Sequence, residues 1–138
     1  TYAETYVQEM TGHDLLNILE QVADNLFDPD PYLQSGGDMV RVGGLDYTID
    51  PSKKLYERIT DARLDNGHLI EAEQKYKVAG WAQVNRTPEG RLMWDVVRDY
   101  IVKNKGKDNV LKLPKINHPK LVGVMKDPGI ADYPGEAS

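Results

Sequence analysis

The chain has 138 residues and no cysteine, and its 17 basic and 22 acidic side chains leave a net charge of −5. This composition suits one domain with a buried core, excludes disulfides and thiolate metal sites, and gives no general attraction to nucleic acid or an anionic membrane. No apolar run approaches the roughly 20 residues of a membrane-spanning helix, so we expect one soluble domain with neither nucleic acid nor membrane as a partner.

The first predicted elements are a strand and a helix. Residues 5–10 alternate between polar and apolar side chains, which is typical of a strand. Thr11 stands where a helix N-cap belongs, and Asp14 places negative charge in the first turn. Apolar residues then recur at three- and four-residue spacing, which predicts an amphipathic helix over residues 12–27. Two Asp-Pro pairs in residues 28–31 end it.

Two glycine pairs frame the next segment, residues 36–44, which we call the glycine-framed segment. It contains one acid, Asp38, and one base, Arg41. Glycine pairs permit backbone angles that other residues resist, and they let another surface approach closely. A guanidinium on such a loop suits a sulfonate or a phosphate, because its planar fork matches two anionic oxygens. The alternative is an exposed Asp38–Arg41 pair that stabilises the fold little.

Strands are predicted for the middle of the chain, at residues 44–49, 56–64 and 76–82. Residues 65–67, Asp-Asn-Gly, are a strong hairpin signal, and residues 69–70 form the short return. The strand at 76–82 is expected to be buried, since its small residues leave room for close packing.

Three polar or aromatic side chains follow at the end of that strand. Trp81, Gln83 and Asn85 occupy alternate positions, which places them on one side of an extended chain. The alternative makes Trp81 a core aromatic and Asn85 a turn residue.

A second amphipathic helix is predicted for residues 93–101, with Trp94 anchoring its start by packing. Prolines then punctuate residues 106–138, which we expect to lie extended over the surface of the same domain. The order of strand, helix, several strands and helix favours an α+β domain, with a mixed or antiparallel sheet that carries two main amphipathic helices.

Four sequence words carry a family resemblance. They are EMTGHDLLNILEQVADNLF at 9–27, DNLFDPDPYLQSGGDMVRVGGLDYTIDP at 24–51, YKVAGWAQVN at 76–85 and WDVVRDYI at 94–101. In this order and spacing they closely resemble the C-terminal domain of the SoxB family, the thiosulfohydrolases of bacterial sulfur oxidation. That family is itself related to the 5'-nucleotidases, so the resemblance implies a fold like the 5'-nucleotidase C-terminal domain.

The resemblance also implies an enzyme of which this chain is one part. Residues 1–105 would be the substrate-side domain of a periplasmic hydrolase. Two manganese ions would lie in an N-terminal metallophosphoesterase domain that is absent from this chain, and that domain would be a partner of this one. The substrate would be an S-sulfonate on a cysteine of a carrier protein, the SoxYZ complex, and the product would be sulfate. We therefore expect the chain alone to be catalytically silent, with no cofactor.

The resemblance points to a set of site residues. In the related nucleotidases the equivalent strand end delivers an aromatic side chain to the substrate cleft. By that analogy the substrate channel would be lined by Asp38, Arg41, Trp81, Gln83, Asn85 and Arg86. No metal site is predicted here, since the three histidines are scattered and lack acidic or histidine neighbours at ligand spacing.

Two other functions stay open. One is a 5'-nucleotidase-type phosphoesterase. Nucleotidases, however, carry a glycine-rich, acid-containing word after this strand, where this chain has VNRTPEG at 84–90, and this disfavours a nucleotide substrate. The other is a non-catalytic module that binds a partner protein.

Overall fold

The computed structural model describes residues 4–81, 90–112 and 115–123. Its elements within these ranges are β1 (Thr5–Thr11), α1 (Gly12–Phe27), β2 (Leu45–Ile49), β3 (Ile59–Leu64), β4 (Lys75–Trp81), α2 (Met93–Asn104) and β5 (Lys120–Leu121). The strands form two sheets. An antiparallel ribbon pairs β1 with β4, and β2 lies between an antiparallel β3 and a parallel β5. The predicted α+β class, with mixed and antiparallel pairing and two helices, is confirmed.

Helix α1 begins and ends at the predicted residues. Hydrogen bonds at its N-terminus explain why it begins there. The backbone N–H of Asp14 donates to the Thr11 hydroxyl over 3.1 Å, while the N–H of Thr11 donates to the Asp14 carboxylate over 3.3 Å. This reciprocal capping box satisfies two N–H groups that a helix end leaves without partners. The hydroxyl of Thr11 also lowers the pKa of Asp14, because a hydrogen bond to the charged form favours it.

The core lies between α1 and the sheet of β2 and β3. Five side chains are buried in it: Leu19, Ala23, Tyr47, Ile49 and Ala62. Two come from α1, two from β2 and one from β3, so the helix and this sheet share one apolar layer. Burial raises the pKa of the Tyr47 hydroxyl, which has no hydrogen-bond partner among the described residues.

The predicted strand at residues 56–64 was too long, because residues 56–58 belong to a turn that precedes the strand. Tyr56 has a φ of 68°, which is incompatible with a strand, and β3 begins only at Ile59. Two acids of α1 hold this turn. The buried carboxylate of Glu20 accepts from the N–H groups of Tyr56 (2.9 Å) and Ile59 (2.6 Å), and Asp24 pairs with the buried guanidinium of Arg58 at 2.6 Å.

The β1–β4 ribbon corrects a second expectation. None of the seven residues of β4 is fully buried, and they alternate between exposed and half-buried. One face of the ribbon is therefore uncovered. The predicted close packing is found within the ribbon itself: a side chain added at Gly80 would lie 2.5 Å from the Tyr6 hydroxyl, so the Tyr6 ring occupies that space.

Helix α2 has no buried residue. Trp94 is 55% exposed, so the prediction that it anchors the helix by packing was wrong. The helix is instead joined to the ribbon through its leading residues: Leu92 forms an isolated bridge to Glu4. The Arg91 guanidinium contacts the Asp99 carboxylate and lowers the pKa of that carboxyl. The apolar face of α2 thus lacks the cover that α1 has.

Residues 115–123, which we call the strap, run along β2. Asn117 donates to Asp46 over 2.9 Å and to Asp65 over 2.7 Å, and the Lys115 ammonium contacts both carboxylates. The strap then pairs with β2 as β5. Residues 113–114 and 124–138 of the predicted tail lie outside the described residues.

Within the described ranges, neither helix is long and apolar enough to cross a membrane.

Candidate functional site

A cleft of about 920 Å³ separates the glycine-framed segment from β4. This volume is in the range of small-ligand sites, roughly 300–1,000 Å³. The floor consists of side chains from α1 and β1, namely Leu15, Ile18, Leu19, Tyr6, Gln8 and Met10. Two backbones thus form the walls, and the floor is mostly apolar.

The glycines of the glycine-framed segment are required by its backbone. Gly36, Gly37 and Gly44 have φ values of 77°, 102° and 81°, in the left-handed region that favours glycine. The N–H of Gly36 donates to the Asn25 carbonyl over 3.1 Å, and that of Gly44 to the Asn117 amide oxygen over 2.9 Å. The segment is therefore fixed at both ends, by α1 and by the strap. The expected close approach of another surface is not seen in the described structure, where no atom lies within 4 Å of an added Cβ at these glycines.

Three of the six predicted site residues line this cleft: Asp38, Arg41 and Trp81. Trp81 is 55% exposed, so it is not a core residue. Among the described residues no ion pair joins Asp38 to Arg41. Both charges therefore face the cleft or solvent without an internal partner. The other three, Gln83, Asn85 and Arg86, lie outside the described residues. Shared placement does not test a role, and the substrate-channel assignment stays a prediction.

Lys77, which was not among the predicted site residues, also lines the cleft. Lys77 is exposed and sits in the middle of β4. It adds a second cation to Arg41, so the charged lining comprises two cations and one carboxylate. The alternation of side chains along a strand could have predicted this position. If Trp81 faces the substrate, a lysine four residues earlier lies on the same side of the strand.

The residues of this cleft are suited to binding an anionic ligand. Arg41 can present two parallel N–H groups to an anionic oxygen pair, and Trp81 offers a flat apolar wall. In the part of the chain that the structure describes, no group of three or more His, Asp and Glu side chains could hold a metal ion. These residues therefore do not form the site for the two manganese ions, which the resemblance implies for another domain.

Comparison with known protein families identifies a family that matches this chain. The 5'-nucleotidase C-terminal domain family matches residues 3–87, more than half of the chain. No curated protein matches the chain significantly.

Several solved structures are similar to this chain, including the following two. One is SoxB of Thermus thermophilus, described as a sulfate thiohydrolase and solved with glycerol. It shares 27% identity at a TM-score of 0.71, over 90% of this chain and 23% of its own. The other, from Staphylococcus aureus, is described as a candidate 5'-nucleotidase and was solved with alpha-ketoglutarate. It shares 16% identity at a TM-score of 0.60, over 86% of this chain and 27% of its own.

The second likeness shows the fold alone, whereas the first adds sequence similarity over most of the chain. The chain spans about a quarter of the length of each solved chain. On the family match, this chain belongs to the 5'-nucleotidase C-terminal domain family.

Proposed function

We propose that this chain is the substrate-side domain of a dimanganese thiosulfohydrolase, which removes an S-sulfonate from a carrier cysteine and releases sulfate. The observation that carries the proposal is the similarity to a SoxB over 90% of the chain, at 27% identity. The likeness to the nucleotidase is weaker, at 16%. The proposed setting is the bacterial periplasm, and the proposed partners are a SoxYZ-type carrier and the metal-binding domain of the same enzyme.

Arg41 has the central role in this proposal. A sulfonate presents coplanar oxygen pairs, and a guanidinium donates two parallel N–H groups to such a pair. Lys77 lies on the opposite wall and adds a second positive charge to the cleft lining, while Asp38 repels anions from its own end of the segment. The sulfonate would therefore bind near Arg41, away from Asp38.

Trp81 would act by shape. Its half-exposed ring lies at the end of β4, where it would narrow the cleft beside the bound group. A flat apolar wall of this kind excludes water from one side of the substrate, which strengthens the contacts of Arg41. When bound in their own domain, the two manganese ions would supply an activated water for the attack on sulfur. This domain would contribute binding and orientation.

The test uses the longer polypeptide that joins this domain to its metal-binding domain. Arg41→Ala should lower kcat/KM for the carrier-bound S-sulfonate by roughly 10- to 100-fold, because one charge-assisted contact to the substrate is lost. Trp81→Ala should also impair turnover and leave the fold intact. Lys53→Ala, an exposed residue outside the cleft, is the matched charge control and should change little. Full activity of Arg41→Ala at an unchanged Tm would contradict the proposal.

A 5'-nucleotidase-type phosphoesterase is the second candidate, and the family match favours it. The same preparation separates the two functions. Phosphate release from a nucleoside monophosphate, without sulfate release from the S-sulfonate, would select the nucleotidase.

A further inference from the structure

Strand β4 has one paired edge and one free edge among the described residues. The register pairs Thr11 with Lys75, and the N–H of Gly12 donates to the Gln74 carbonyl over 2.9 Å. In an antiparallel ladder hydrogen-bonded and non-hydrogen-bonded pairs alternate. The residues of β4 bonded to β1 are therefore Tyr76, Val78 and Gly80. The backbone groups directed outward belong to Lys75, Lys77, Ala79 and Trp81.

This free edge borders the cleft. Every residue from Tyr76 to Trp81 lines the cleft, whereas β1 contributes only alternate residues. A strand whose consecutive residues all face one space presents its backbone edge to that space, and a strand with alternate residues presents a face. Strand β4 is thus a wall, and β1 is part of the floor.

The opposite wall is a second backbone without partners. Residues 38–45 all line the cleft, and residues 38–43 belong to no helix or strand. Within the described part of the chain, no hydrogen bond involves the backbone of residues 38–43. The cleft therefore lies between the free edge of β4 and an unbonded segment, above a mostly apolar floor, and this geometry matches the recognition of a peptide by strand addition.

We propose that an extended peptide segment binds in the cleft as an added strand on the free edge of β4. The inference rests on the proposed function, in which the occupant is the peptide arm of the carrier that presents the S-sulfonate. Alternate side chains of the arm would enter the apolar floor. Its outward backbone groups would pair with those of Lys75, Lys77, Ala79 and Trp81.

Charge favours such an arm over a second copy of this chain. Lys75 and Lys77 lie on one face of the free edge and both are exposed. Two copies of β4 placed side by side would bring these lysines together, and lysines on an edge strand oppose self-pairing. A segment with acidic or sulfonate groups on that face would instead be attracted.

The experiment adds synthetic ten-residue peptides to the chain and follows amide hydrogen exchange by NMR. The first probe alternates valine and glutamate, the second alternates valine and lysine, and the third contains the residues of the first in two blocks. With the first probe we expect exchange at Lys75, Lys77, Ala79 and Trp81 to slow at least tenfold. The other two should protect these amides at least tenfold less. Equal protection by all three, or protection elsewhere only, would overturn the inference.

A matched pair of variants tests the edge directly. Ala79→Pro removes one outward N–H of β4 and spares the bonds to β1, and it should weaken binding of the first probe at least tenfold. Val7→Pro is its control, because Val7 pairs with Ala79 and directs its N–H to the opposite edge of the ribbon. Binding by Ala79→Pro as tight as by the native chain would overturn the inference. So would a dimer of the native chain that Ala79→Pro abolishes, since the occupant would then be a second copy.

Failure of the inference can be told apart from failure of the proposed function. Edge protection together with nucleotidase activity in the longer polypeptide would support strand addition and remove the thiosulfohydrolase. Sulfate release without edge protection would keep the enzyme and remove strand addition.

Discussion

The two helices have similar sequence patterns and different surroundings. Helix α1 begins with a capping box and buries Leu19 and Ala23 against β2 and β3. Helix α2 begins at Met93, its N-cap residue Leu92 makes no side-chain cap, and none of its residues is buried. The difference teaches that apolar periodicity predicts a helix and its apolar face, but not what covers that face.

The same contrast divides the rest of the described structure. The anchored part contains α1, β2, β3 and the strap. Buried side chains join these elements, and so do hydrogen bonds such as those that the Glu20 carboxylate accepts from the turn before β3. The open part contains α2 and β4, in which exposed apolar and charged groups predominate. The candidate site has a floor that includes anchored residues, one wall tied to the anchored part through the glycine-framed segment, and one wall, β4, that belongs to the open part.

The largest expected effect lies in the anchored part. Leu19→Ala should lower the free energy of unfolding by about 2–5 kcal/mol, because it leaves a cavity in the core. Val97→Ala, half-exposed on α2, should change it by less than about 0.5 kcal/mol. Urea unfolding followed by circular dichroism measures both. Equal losses would remove the distinction between the helices.

A smaller effect is expected at Glu20, whose carboxylate is buried and accepts from two backbone N–H groups. Glu20→Gln keeps the size and replaces one acceptor with a donor, so one buried N–H loses its partner. We expect a loss of about 1–3 kcal/mol in the same unfolding experiment. Gln21→Glu, an exposed change on the same helix, is the control. No loss in Glu20→Gln would mean that this carboxylate does not hold the turn.

The smallest expected effect concerns the strap and pH. Lys115 and Asn117 lower the pKa of Asp46, and Asn117 and Lys115 lower that of Asp65. Their contribution is therefore present above the unfolded carboxyl pKa of about 3.9, and it is lost as the pH falls through the lowered folded value. The two carboxylates raise the pKa of Lys115, so its contribution is complete below about pH 10.4 and is lost above that value.

Melting temperatures measured from neutral pH down to about pH 3 test this linkage. The native chain should lose stability between about pH 4 and 3, and Lys115→Met should lose less over that interval, because its carboxylates have lost the charge that favours ionisation. Lys112→Met is the matched control, since Lys112 forms no ion pair among the described residues. The same acid dependence in Lys115→Met and in the native chain would contradict the assignment.

Much of the fold could be predicted from local pattern. The bounds of α1 followed from the cap and the Asp-Pro pairs, and β1, β2 and β4 were placed within one residue. The start of β3 could not be predicted, because residues 56–58 adopt their conformation through Glu20 and Asp24, more than 30 residues earlier. Such contacts leave no periodic signal.

The candidate site was predicted less completely, for a related reason. The resemblance and the residue types pointed to Asp38, Arg41 and Trp81, and these do line one cleft. The burial of β4 and the packing of Trp94 were predicted wrongly, since small or aromatic residues favour close contact only where a second layer exists. Lys77 was missed although alternation along β4 places it on the same side of the strand as Trp81.

Amide hydrogen exchange of the native chain tests the division into an anchored and an open part most directly. We expect the amides around Leu19 and Ala23 in α1, and those of Tyr47 in β2, to exchange only when the whole domain unfolds. The amides of α2 around Val97 and Tyr100 should exchange at least roughly 100-fold faster relative to their unstructured rates, through local opening. Equal protection of α1 and α2 would contradict the account.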